Sequence, residues 1–196
     1  MNQAHAWSQW WAFAWHHAHP DWRCTALSTL LPEHDQALAR SQHVAASKHF
    51  RISPCLPSYP TAALLHWVLT QPEQHDLTLA LVDHICRPQL PTSLDPVHNL
   101  WCLRLAKALR PSNWLDETDD VLQLLRAWVG PAVWQRLRLR YPKGQVIALE
   151  MKPALALPLV KLETLWHAAL WQACGDNSAP PSPHTQVHDD VVTPQD

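Results

Sequence analysis

Three glycines stand against 18 prolines in a chain of 196 residues, and this imbalance limits the available folds more than any other feature. Glycine supplies positive φ to tight turns and lets backbone approach a ligand, whereas proline stiffens connectors and opens helices. Such a chain is expected to be built from helices punctuated by rigid joints. The same scarcity excludes phosphate and dinucleotide chemistry of the Gly-rich-loop kind, because neither a Walker loop nor a GxGxxG occurs. Hydrophobic residues make up 47% and charged residues 16%, so a packed core is affordable within one domain. A formal net charge of −2 without a long basic run argues against an electrostatic nucleic-acid binder.

Hydrophobic periodicity places most of the elements. Trp7, Trp10, Trp11, Ala14 and Trp15 recur at helical spacing within residues 3–18, and Pro20 closes that run. Short helices are expected over 21–31 and 33–49, followed by an irregular connector, RISPCLPSYP, at 51–60. Thr61 caps the apolar run AALLHWVLT, Pro72 opens a helix with Leu77, Leu81 and Ile85 on one face, and Asp95-Pro96 is a cap with a helix-starting proline. The stripe of that next helix is Val97, Trp101, Leu105 and Leu109. A further helix or bent pair covers 112–129, and a last helix over about 159–174 presents Leu162, Leu165, Trp166 and Leu170.

Between these two the period changes from helical to alternating. In WQRLRLRYPKGQVIALEM, Leu137, Leu139 and Tyr141 alternate with Arg136, Arg138 and Arg140, and Ile147, Leu149 and Met151 alternate after Pro142-Lys143-Gly144-Gln145. Two alternating runs about a Gly-containing turn predict a β-hairpin at about 134–151. The expected architecture is therefore mainly α: one compact multi-helix domain over 1–174, a small β-hairpin near its C-terminal end, and a disordered Pro/Asp-rich tail over 175–196.

Several clusters invite a chemical reading. WWAFAWHHAHP, residues 10–20, sets His16, His17 and His19 behind a tryptophan block, but no HExxH or finger spacing accompanies them, and helix-end histidines bonded to carbonyls account for the pattern. His84 and Cys86 sit at i and i+2, which face apart on a helix and form no nucleophile–base dyad. No GxSxG elbow occurs, and Asp119-Asp120 lack the Gly turn of an oxygen-ligand loop. The five cysteines are widely spaced, without a CxxC, as expected for free thiols in a reducing compartment. No leader or membrane-spanning run is expected, which makes the cytosol the default location. No cofactor, metal or catalytic residue is assigned. On the hairpin reading, Arg136, Arg138 and Arg140, with Lys143 at the turn, form an outward positive strip for an acidic protein partner, and their replacement by Glu leaves the fold intact.

Two segments resemble a known family. AWVGPAVWQRLRLRYP, residues 127–142, resembles the C-terminal pattern of the SctK family of type III secretion sorting-platform proteins. HHAHPDWRCTALSTLLP, residues 16–32, resembles that family's early segment, an aromatic stretch leading to His-Pro and a helix ending in Leu-Pro. The resemblance implies a non-enzymatic adaptor at the cytosolic face of the inner membrane, linking the cytosolic domain of the ring protein (SctD class) to the pod protein (SctQ class). The stator (SctL class) and ATPase (SctN class) would belong to the same assembly. The high histidine content and the tail depart from the family pattern. Two other readings compete: a His-rich metal-binding protein or metal-dependent enzyme using His16, His19 and His5, and a secretion chaperone.

Overall fold

The computed structural model describes residues 2–22, 43–111 and 113–175. Its elements are α1 (Gln3–Ala12), α2 (His43–His49), α3 (Ala62–Leu69), α4 (Pro72–Cys86), α5 (Pro96–Leu109), α6 (Leu122–Leu137), α7 (Lys143–Glu150) and α8 (Leu159–Gly175), with 3₁₀ turns at Ala14–His17, Pro20–Trp22 and Arg138–Arg140. Apart from Asp21 and Trp22, which lie in the second 3₁₀ turn, the helix expected over 21–31, the first part of that over 33–49 and the tail beyond Gly175 lie outside the described residues.

The helix starts follow from local chemistry. Asn2 accepts from the Ala4 amide at 3.0 Å, Thr61 Oγ1 accepts from Leu64 at 3.2 Å, and Asp95 Oδ1 accepts from Val97 and His98 at 2.8 and 3.0 Å. Each satisfies amides that have no carbonyl partner in a first turn. Pro72 and Pro96 occupy first-turn positions, where the missing N–H costs nothing.

α4 joins the layers: it packs against both α5 and α8, while α8 also meets α3 and α6, and α1 lies on α3. The centre is aromatic. Trp128 stacks on Trp166 with centroids 5.3 Å apart and planes 11° apart, and Trp67 meets Trp166 edge-on at 5.2 Å. Both arrangements suit the indole quadrupole. Trp7, Trp10 and Trp11 extend the same core, so the N-terminal tryptophan block is interior. A smaller cluster of Trp15, Ala18, Ala46, Phe50, Ile52 and Leu139 closes the other end, where Trp15 stacks on Phe50.

The hairpin expected at 134–151 is replaced by helix, 3₁₀ turn and helix, and no strand occurs among the described residues. Gly130, at φ 72°, breaks α6 ahead of Pro131, after which the chain resumes helix through Trp134 to Leu137. Pro142 then stands directly before α7 and its amide-free ring starts that helix instead of a hairpin turn. Alternation misled because it implies one wet face and one dry face. Here Leu137 and Leu139 are fully buried and Arg136 is buried with them. The segment runs through the body, and both of its faces meet protein.

Truncating the centre tests this packing. Trp166→Ala is expected to cost about 3–5 kcal/mol of unfolding free energy in urea titrations, whereas exposed Trp171→Ala changes it by less than about 0.5 kcal/mol.

Candidate interaction surfaces

The arginine row lies inside the protein, contrary to the outward strip expected from the hairpin. Arg136 is 4% exposed; its Nε donates to Trp11 O at 3.0 Å and its Nη1 to Ala132 O at 2.9 Å. Its guanidinium also lies 3.9 Å over the Trp11 ring, a cation–π contact. Arg138 donates through Nη1 to both Glu150 oxygens at 2.9 and 3.0 Å, and through Nη2 to the carbonyls of Phe50 and Arg51. Arg140 Nη2 donates to Val68 O at 2.9 Å. Trp11 and Val68 lie in the last turns of α1 and α3 and Phe50 directly follows α2, so three alternating arginines bind carbonyls at or just past three helix C-termini. Those carbonyls have no intrahelical donor, and the helix dipole favours a cation beside them. Lys143 alone of the predicted strip is exposed, with Nζ 5.7 Å over the Trp22 ring.

Burial lowers the pKa of Arg136 and Arg140 from the ordinary arginine value. Both remain donors, since guanidinium holds its proton far above neutral pH. His75 completes this network. Its Nε2–H donates to Trp67 O at 2.6 Å, its ring stacks on Trp67, and Nδ1 lies 3.3 Å from Arg140 Nη1, in position to accept. Desolvation above all, then the Arg140 charge, push the His75 pKa down to about 4 against the opposing pull of the Trp67 carbonyl and Asp76. A second inward arginine, Arg87, is 7% exposed and binds Asp83 and the carbonyls of Asp116, Glu117 and Asp119. It shapes the acidic loop before α6. Sequence reasoning missed it, although its place just after α4 marks it as a helix-end cation.

The other chemical candidates separate in space. His16 and His17 are exposed on the 3₁₀ turn after α1, His16 stacks on Phe13, and His19 pairs with Asp21 at 3.4 Å. His5 is exposed on α1. Among the described residues no group of three His, Cys, Asp or Glu side chains is placed to hold a metal ion. His84 Nε2 meets Asn99 Oδ1 at 2.8 Å, tying α4 to α5. Cys86, nearby, is buried, which pushes its thiol up to about 12. The four cysteines among the described residues are unpaired. No helix among the described residues is long and apolar enough to cross a membrane.

The surface also carries large apolar side chains. All 12 tryptophans fall among the described residues: nine are buried, Trp22 and Trp101 are half-buried, and only Trp171 is exposed, at 67%. Trp171 shares the outer face of α8 with Val160, Thr164 and His167, spaced at helical period. Of the expected α5 stripe, Trp101, Leu105 and Leu109 pack partly buried against the core and Val97 is exposed; His98 and Cys102 are buried, while Leu100 and Leu103 are exposed. A groove of about 420 Å³ also opens between α1 and the proline-rich connector, beside Trp7 and the fully exposed Tyr59. No protein-family model, curated protein or solved structure matches this chain.

Two outcomes follow from the inward arginines and histidine. Arg136→Ala leaves the buried Trp11 carbonyl without its donor and is expected to cost about 1–3 kcal/mol. Joint replacement of Arg136, Arg138 and Arg140 by Glu abolishes cooperative melting, an outcome a solvated row would not give. The folded pKa of His75 lies below its unfolded value of 6.5. The unfolded chain therefore binds the extra proton first, and stability falls as pH drops from 6.5 toward about 4. The loss attributable to this group is up to about 3 kcal/mol, and His75→Gln should flatten that part of a pH series of urea midpoints.

Proposed function

We propose that this protein is a non-catalytic adaptor of a type III secretion sorting platform, joining the ring protein's cytosolic domain to the pod protein. The resemblance of residues 16–32 and 127–142 to the SctK family supports the class. The observation that carries an adaptor role is the exposed Trp171, set on a face with Val160 while the other 11 indoles are wholly or partly buried. A desolvated indole at the centre of an interface supplies a large share of binding free energy, and tryptophan is enriched among such anchors. α8 is braced by α3, α4 and α6, so the face it presents is held rigidly and binding orders little of it. An adaptor needs more than one such face, and α5 offers a second on the same supporting helix, α4.

The test is co-purification. The tagged protein is expected to capture a pod protein of the SctQ class from its source cells, and deletion of the gene to stop secretion. Trp171→Ala should weaken one of the two partner interactions by roughly 30-fold or more, the equivalent of about 2 kcal/mol, with an unchanged melting curve. A deletion strain that secretes normally would end this reading.

A further inference from the structure

We propose that the outer face of α5 docks an acidic, amphipathic helix of a partner protein, in antiparallel orientation. Among the described residues α5 makes its substantial helix contacts with α4, and side chains on its opposite face are exposed. On that face Val97, Leu100 and Leu103 form one row at i, i+3, i+6, with exposures of 71%, 51% and 37%. Two turns further on, Arg104 and Lys107 repeat the positions of Val97 and Leu100, and a third cation, Arg110, ends the helix in the left-handed conformation. A step of seven residues returns to nearly the same angular position on a helix. The surface is therefore one strip, apolar in its N-terminal half and cationic in its C-terminal half.

The charge of that strip is uncompensated. Residues 96–109 contain no Asp or Glu. The side chains of Arg104, Lys107 and Arg110 make no hydrogen bond or ion pair among the described residues, unlike those of Lys152, which pairs with Asp119, and the buried arginines. On a chain of net charge −2 they make a basic island beside apolar surface. A row at i±3 spacing is a ridge that fits the groove of a second helix. A partner running antiparallel sets its own N-terminal turns against the cations, where its dipole already favours carboxylates, and its later apolar turns against Val97, Leu100 and Leu103. Complementarity of this kind fixes orientation as well as contact. The proposal stands apart from the adaptor reading: it concerns the chemistry of one face whatever the assembly.

The experiment titrates the isotope-labelled full chain with a synthetic helical peptide carrying Glu along one face of its first half and Leu along the same face of its second. Amide shifts confined to α5 support the proposal, provided Arg104→Glu with Lys107→Glu weakens binding at least roughly tenfold and added salt does likewise. Both side chains are exposed, so the variant keeps its melting curve. A Lys-for-Glu peptide should not bind. Absence of shifts, shifts centred elsewhere, or equal binding of the Lys peptide would overturn the idea. Preferential binding to phosphatidylserine vesicles, α5-dependent self-association, or a face that accepts the peptide only after residues 176–196 are removed would overturn it too, naming a membrane, a second copy or the chain's own tail as the occupant. Pod-protein capture is scored separately, so loss of one result leaves the other standing.

Discussion

Helix C-termini are this protein's central problem, and arginine forks are its solution. A helix commonly ends with glycine in the left-handed conformation, which folds the chain back so that its last carbonyls find amide donors. This sequence has three glycines, and the C-cap positions of α1, α3, α4, α5 and α7 are Phe13, Thr70, Arg87, Arg110 and Met151. The carbonyls of α1, α2 and α3 are reached instead by Arg136, Arg138 and Arg140 from one passing segment. A guanidinium suits this task because its planar fork carries five donors and keeps its charge when buried. The cost of burying charge is offset only where such acceptors are in place, which makes the segment and the three helix ends mutually dependent.

Around this polar hub the tryptophans do the apolar work. Several have their N–H groups engaged as well: Trp7 with Ser58, Trp11 with Cys55, Trp22 with Tyr141, Trp134 with Glu150. The first two hold the proline-rich connector against α1, so a segment without regular structure is fixed by indole donors. An indole is well suited to that position, with a large dry body and a single donor at its edge. Against this pattern Trp171 stands out physically: its surface remains in water while residues on the opposite side of the same helix are fully buried. Large exposed apolar side chains on α5 and α8 are the features of the molecule most consistent with holding other proteins.

Most helices were legible in the sequence because their signals are local. Thr61, Pro72 and Asp95-Pro96 start helices through contacts within a few residues, and the rows ending in Ile85 and Leu170 are visible from spacing alone. Candidate chemistry was less legible. The arginine row was seen but given the wrong environment, since alternation cannot tell solvent from a neighbouring helix end. Val97 was placed on the inner stripe and His98 and Cys102 were not, a shift of about one residue that the wheel tolerates until the position of α4 is known. His75 gave no signal, because its lowered pKa comes first from burial in the folded protein and then from Arg140, 65 residues away.

By itself the sequence determined that the chain is mainly helical and where most helices begin, because capping, proline stereochemistry and periodicity act over one or two turns. Tertiary structure decided the surroundings that spacing leaves open, such as the exposed Val97 at the start of α5. It converted an alternating Leu/Arg run from a ribbon into a helix-ending turn, drew three arginines inward to distant carbonyls, and left Trp171 and the ridge of α5 in water. Those outcomes depend on which surfaces the folded chain brings together, and contacts between residues far apart in sequence leave no periodic mark on either partner.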